Sequence, residues 1–125
     1  MLSKRVFVAF AVEDKIFRDF LVGQAKLDKS PFEFTDMSAQ KPWDEKWKTN
    51  CRIRIQGCDG VIGLISKNTP KADGQLWEIQ CAYDEKKPVM LMYVNEDRLT
   101  LPAALKDKRI NVWSWANLKT FVEKL

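Results

Sequence analysis

The sequence predicts an α/β domain with three layers: a five-stranded parallel sheet with helices on both faces. Three observations predict it. Short apolar runs rich in β-branched and aromatic residues are too continuous for strands with one wet face, so they read as strands buried on both sides. Segments with helical spacing separate them. The 125 residues contain neither an internal repeat nor a linker, so residues 1–125 form one domain with one core.

Each element follows in order. Arg5 to Ala11 is the first buried strand, and Val12-Glu13-Asp14 ends it. Ile16, Phe17, Phe20, Leu21 and Ala25 then repeat at helical spacing, with Glu13 and Asp14 suited to the helix N-terminus. Asp28 to Pro31 is a turn, and Phe32 to Thr35 a short second strand. A longer loop, Asp36 to Asp44, carries Trp43. Trp43, Trp47, Cys51, Arg54, Ile55 and Cys58 mark a second helix that stops near Gly57 to Gly60. Val61 to Ile65 is strand three, ending at Ser66.

Pro70 and Gly74 keep the stretch from Lys67 to Gly74 a loop. A third helix opens at Gln75 and runs to about Lys87; Leu76, Ile79, Gln80 and Tyr83 form its core-facing stripe. Val89 to Val94 is strand four, and Leu101 to Lys108 a short helical turn or an irregular segment. Arg109 to Trp115 is strand five, and Ala116 to Leu125 closes the chain as a helix. Right-handed crossovers leave few topologies for this pattern, and the flavodoxin-like order 2-1-3-4-5 is the natural one. Ligands of such sheets sit at the carboxyl ends of the strands where the order reverses. Here that point lies between strands one and three, so the loop after strand three delivers Glu78 to it.

Composition removes several function classes. Hydrophobic residues make up 46% and charged residues 30%, which suits a globular chain. The net charge of +4 is spread among 17 acids, and no nucleic-acid motif appears, so a mixed surface is expected rather than a nucleic-acid partner. The longest apolar run, Val6 to Val12, is too short to span a bilayer, and no signal peptide opens the chain; the expected location is the cytoplasm. Cys51, Cys58 and Cys81 form no Cys-x-x-Cys pair and read as reduced, buried thiols. The chain has no histidine, which removes Ser-His and Cys-His catalysis and most zinc sites; no metal is expected.

Other occupants of this topology also fail. A phosphoacceptor receiver needs an Asp at the end of strand three and a Lys at the end of strand five, where this chain has Ser66 and Trp115. A flavodoxin needs a hydroxyl- and glycine-rich phosphate loop after strand one, where Glu13 and Asp14 would repel phosphate. The five glycines make no nucleotide fingerprint.

What remains resembles a TIR domain. Lys4-Arg5-Val6-Phe7-Val8-Ala9-Phe10-Ala11-Val12-Glu13-Asp14 is similar to the family's opening strand with its acidic pair. Asp36-Met37-Ser38-Ala39 with Trp43 resembles the second strand end and the loop after it. Val61 to Ser66 matches the third strand, and Trp77-Glu78-Ile79 with Lys87-Pro88-Val89-Met90 the Trp-Glu-Ile segment and the strand beyond. The resemblance runs from Lys4 to about Val94, and the Trp-Glu-Ile form looks most like the TIR-like proteins of bacterial Thoeris-type antiphage systems.

That resemblance implies cleavage of NAD⁺ at the nicotinamide–ribose bond, with NAD⁺ as substrate and no separate cofactor. It implies Glu78 as the catalytic carboxylate and a substrate pocket drawn from Phe10, Ala11, Asp36, Ser38, Trp43 and Trp77. A carboxylate near the ribose stabilises the oxocarbenium-like transition state, and the cationic leaving group needs no general acid, so a chain without histidine can do this chemistry. The resemblance further implies oligomerisation and a product that signals to a separate effector protein. Each residue also has a plain structural role: Glu78 complementing the helix dipole, Phe10 in the core, Trp43 as a staple at the second helix, Trp77 packed on the sheet. A non-catalytic scaffold that signals by homotypic contact is the corresponding alternative.

Overall fold

The computed structural model describes residues 4–27, 32–36, 45–95 and 101–125. Among the described residues, five strands and four α-helices follow in order, alternating except between β4 and β5: β1 (Lys4–Phe10), α1 (Lys15–Leu27), β2 (Phe32–Thr35), α2 (Glu45–Gln56), β3 (Gly60–Ile65), α3 (Asp73–Asp84), β4 (Val89–Tyr93), β5 (Ile110–Asn111) and α4 (Trp115–Glu123). The sheet is parallel throughout, in the order β2-β1-β3-β4-β5. The expected strand order and three-layer architecture are therefore the observed ones.

The strands are apolar on both faces because each face meets a helix layer. Phe7 and Ala9 of β1, Val61 and Ile65 of β3, and Leu91 of β4 join Cys51 and Ile55 of α2 and Ile79 and Ala82 of α3. The alternate residues, Val6, Val8, Ile62, Leu64, Met90 and Met92, pack with Leu21 and Ala25 of α1 and Leu118 and Val122 of α4. Among the described residues, no helix is long and apolar enough to cross a membrane.

Three local expectations need correction. The stretch before α3 is not all loop: Thr69–Lys71 is a 3-10 turn, and α3 begins at Asp73 with Gly74 inside it. Asp73 thus takes the first-turn carboxylate position, and Glu78 lies deeper in the helix. The buried face of α3 is Gln75, Glu78, Ile79, Cys81 and Ala82, whereas Gln80 is exposed and Leu76 and Tyr83 are half-buried. Helical spacing is kept, but the face is turned to put two polar side chains inward. Finally, only Ile110 and Asn111 of the expected fifth strand pair with β4, and α4 starts at Trp115.

Gly63 lets α3 approach the sheet. A Cβ there would lie 2.7 Å from Leu91 Cδ2 and 3.2 Å from Ile79 Cδ1. Gly63→Val should therefore press α3 and its Glu78 outward and cost about 1–3 kcal/mol, read as a lower midpoint in chemical denaturation. At its other end α3 closes with Lys87 N–H donating to Ala82 O and Lys86 N–H to Tyr83 O. Lys86 holds the left-handed conformation (φ 57°) that turns the chain into β4.

Candidate active site at the carboxyl ends of β1 and β3

The loops leaving β1 and β3 are tied by a buried carboxylate. Asp14 is 2% exposed. Its Oδ2 accepts from Ser66 Oγ, and its Oδ1 accepts from Asn68 Nδ2 at 2.8 Å. Asn68 N–H donates to Ser66 Oγ at 2.9 Å, and Ser66 N–H to the buried Thr69 Oγ1 at 2.9 Å. The chain just ahead of α3 is thereby fixed against the end of β1. Gln75 adds a second tie: its Nε2 donates to Ala9 O at 3.0 Å and to Leu64 O at 2.6 Å, joining α3 to both neighbouring strands.

On this anchored helix Glu78 is 5% exposed. Among the described residues it makes no hydrogen bond or ion pair. Burial, with the negative field of Asp36 added, raises its carboxyl pKa well above the ordinary range. Asp36 stands at the end of β2. Its carboxylate lies 3.7 Å from Arg18 Nε of α1, and its carbonyl accepts from Arg54 Nη1 of α2. The Arg18 guanidinium also lies over the Phe10 ring, 5.6 Å from the centroid. Cys51 and Cys81 border the same region; burial raises both thiols, and the Glu78 charge raises them further, so neither is an activated nucleophile.

Asp36 thus lies within the electrostatic reach of Glu78 and is linked through Arg18 to Phe10, whose ring packs on the α1 and α4 side of the sheet; Ala11 is buried, with its carbonyl accepting from Asp14 N–H at 2.8 Å. Trp77 points elsewhere than its neighbour. Its ring packs edge-to-face on Trp47 (5.4 Å, 62°) beneath the Arg52 guanidinium, and it borders a separate cavity of about 320 Å³ with Lys48, Thr49 and Gln56 of α2. Ser38 and Trp43 lie outside the described residues. Sequence reasoning missed Arg18, Gln75 and the tying role of Asp14. Gln75 alone left a signal: it sits three residues before Glu78, on the same helix face.

A five-stranded parallel sheet in this order, with helices on both faces, is the architecture of a TIR domain. Residues 7–98, most of the chain, match the family described as Thoeris protein ThsB, TIR-like domain, and the chain belongs to that family. The fold is similar to the crystal structure of the TIR domain of the Toll-related receptor TRR-2 from Hydra magnipapillata. The TM-score is 0.65 at 13% identity, over 95% of this chain and 91% of that one. No curated protein matches the sequence.

Proposed function

We propose that this TIR-like domain cleaves NAD⁺ at the bond between nicotinamide and ribose, with Glu78 as the catalytic carboxylate. The observation that carries the reading is a glutamate buried at the sheet's switch point without any counter-charge among the described residues. Such a group is costly to the fold and is poised for a cationic partner. The pyridinium of NAD⁺ is that partner: its charge favours the ionised carboxylate as it binds. As the C1′–N bond breaks, the electron pair leaves with the now neutral nicotinamide, and positive charge develops on the ribose beside Glu78. A nucleophile then adds to C1′ and gives up its proton. Water yields linear ADP-ribose; a group of the same molecule or of an acceptor yields a cyclic or conjugated product. In antiphage defence that product signals to a separate effector protein. The reaction takes place in the cytoplasm, with NAD⁺ as substrate, no further cofactor and no nucleic acid. Phe10 and Asp36 border the reacting end, with Ser38, Trp43 and Trp77 taking the rest of the dinucleotide.

The domain works as an assembly in this proposal. The outer face of α1 supports it, since Ile16, Phe20 and Leu27 are 59%, 63% and 87% exposed. Together with Val94 and Trp113 they border an apolar groove of about 740 Å³. Phe20→Asp should reduce the assembled fraction in light scattering and lower the rate per molecule at high protein concentration, without altering the dilute monomer's melting temperature; unchanged assembly would place the contact elsewhere.

The test of function is nicotinamide release from NAD⁺ by concentrated or crowded protein, beside Glu78→Ala. Release by wild type alone supports the enzyme. Release by neither supports the non-catalytic scaffold, and equal release by both removes Glu78 from the chemistry.

A further inference from the structure

Gln75 carries an unused acceptor on the buried face of α3. The residue is 2% exposed, and its Oε1 has no hydrogen-bond partner among the described residues. The amide cannot simply turn to find one. Both Nε2 protons are spent on Ala9 O and Leu64 O, and a flipped amide would press Oε1 against those two carbonyl oxygens. The strand ends therefore dictate the orientation: the N–H₂ faces the sheet, and Oε1 faces the opposite way. A buried acceptor left without a donor costs free energy that a ligand bringing an N–H would recover. Gln75 also stands one helical turn before Glu78 on the buried face of α3, so the two side chains are neighbours.

We propose that Gln75 is a specificity-determining residue of this site, its side-chain carbonyl accepting a hydrogen bond from the carboxamide N–H₂ of the nicotinamide group. This rests on the NAD⁺-cleaving function proposed above. The reacting half of the dinucleotide offers two kinds of donor. Ribose hydroxyls beside the breaking bond go to the ionised Glu78, the stronger acceptor. The carboxamide N–H lies on the ring, farther from C1′, and meets the neutral Oε1 one turn earlier on α3. A base lacking that N–H leaves the acceptor empty, and sites with an unfilled buried acceptor reject such analogues.

The experiment compares NAD⁺ with 3-acetylpyridine adenine dinucleotide, in which a methyl group replaces the amide nitrogen. For wild type, kcat/KM should favour NAD⁺ by at least about tenfold. In Gln75→Met, which has similar length but no acceptor, the preference should fall by at least about tenfold relative to wild type. The ratio between the two proteins cancels the differing intrinsic reactivity of the two bases. Retained discrimination in a folded Gln75→Met protein overturns the proposal. Because that variant also loses the ties to Ala9 and Leu64, a measurement on wild type stands beside it. Free nicotinamide should inhibit at least about tenfold more strongly than free 3-acetylpyridine, and equal inhibition overturns the proposal as well. Cleavage of both dinucleotides by wild type without preference sinks only the role of Gln75; cleavage of neither sinks the NAD⁺ reading and this inference with it.

Discussion

Glu78→Gln should stop nicotinamide release and at the same time raise the melting temperature. The substitution keeps shape and volume while removing an ionisable group that the fold accommodates poorly. Glu78 is 5% exposed, and burial followed by the Asp36 field raises its pKa well above the ordinary value. Between the unfolded pKa and this raised folded pKa, the native state holds a proton that the unfolded state has released. Stability therefore falls as pH rises through that window. In Gln the slope disappears, so the gain in melting temperature over wild type should widen from pH 4 toward neutrality. Loss of an electrostatic stabiliser of the transition state should lower kcat by at least about 100-fold. The paired result separates a functional carboxylate from a structural one, since a glutamate that merely held the helix would lower stability when replaced. A variant less stable than wild type at pH 7, or one that still releases nicotinamide, would contradict the account.

Asp14→Ala should give the largest loss of stability outside the apolar core. The Asp14 carboxylate accepts from Ser66 Oγ and Asn68 Nδ2, both on the loop after β3. Deleting it leaves those donors without their partner at a site where Asp14, Ser66 and Thr69 are each at most 2% exposed. Hydrogen bonds to a charged group contribute about 1.5–3 kcal/mol each, and two that share one carboxylate are not additive, so the expected cost is about 3 kcal/mol. For a domain of this size that lowers the melting temperature by roughly 10 °C. Asp14→Asn keeps one acceptor oxygen and should fall between the two. Because the same loop leads into α3, nicotinamide release should drop in both variants in the order of their stability. Thermal melts by circular dichroism check the first part. A shift below about 2 °C for the alanine variant would mean that the tie contributes little.

The parts of the fold that were legible in the sequence are those dictated by apolar patterning. Val6 to Ala9 and Val61 to Ile65 are buried on both faces, as expected where helices cover both sides of a parallel sheet. The strand order followed from handedness, and it placed Glu78 at the switch point before any side chain was positioned.

What was not legible depends on polar groups facing inward. A stripe of Leu76, Ile79, Gln80 and Tyr83 looks core-facing because burial is assumed to follow apolarity; α3 instead turns Gln75 and Glu78 inward and leaves Gln80 in solvent. The Asp14 tie spans 52 residues to Ser66 and 54 to Asn68, separations that no local pattern encodes. Arg18, which connects Phe10 to Asp36, reads as an ordinary surface residue of α1 until the fold brings the ends of β1 and β2 beside it. The fifth strand was overestimated because Val112 and Trp113 are apolar, yet only Ile110 and Asn111 reach β4.

The central claim is that NAD⁺ reacts at the crevice between β1 and β3 with its ribose against Glu78. A crystal structure of the Glu78→Gln protein with NAD⁺ bound tests it most directly. The account predicts the nicotinamide ribose within about 3.5 Å of side chain 78, with the pyridinium ring toward Phe10. A nicotinamide ribose seated elsewhere, such as in the cavity that Trp77 shares with Lys48 and Arg52 of α2, would contradict it.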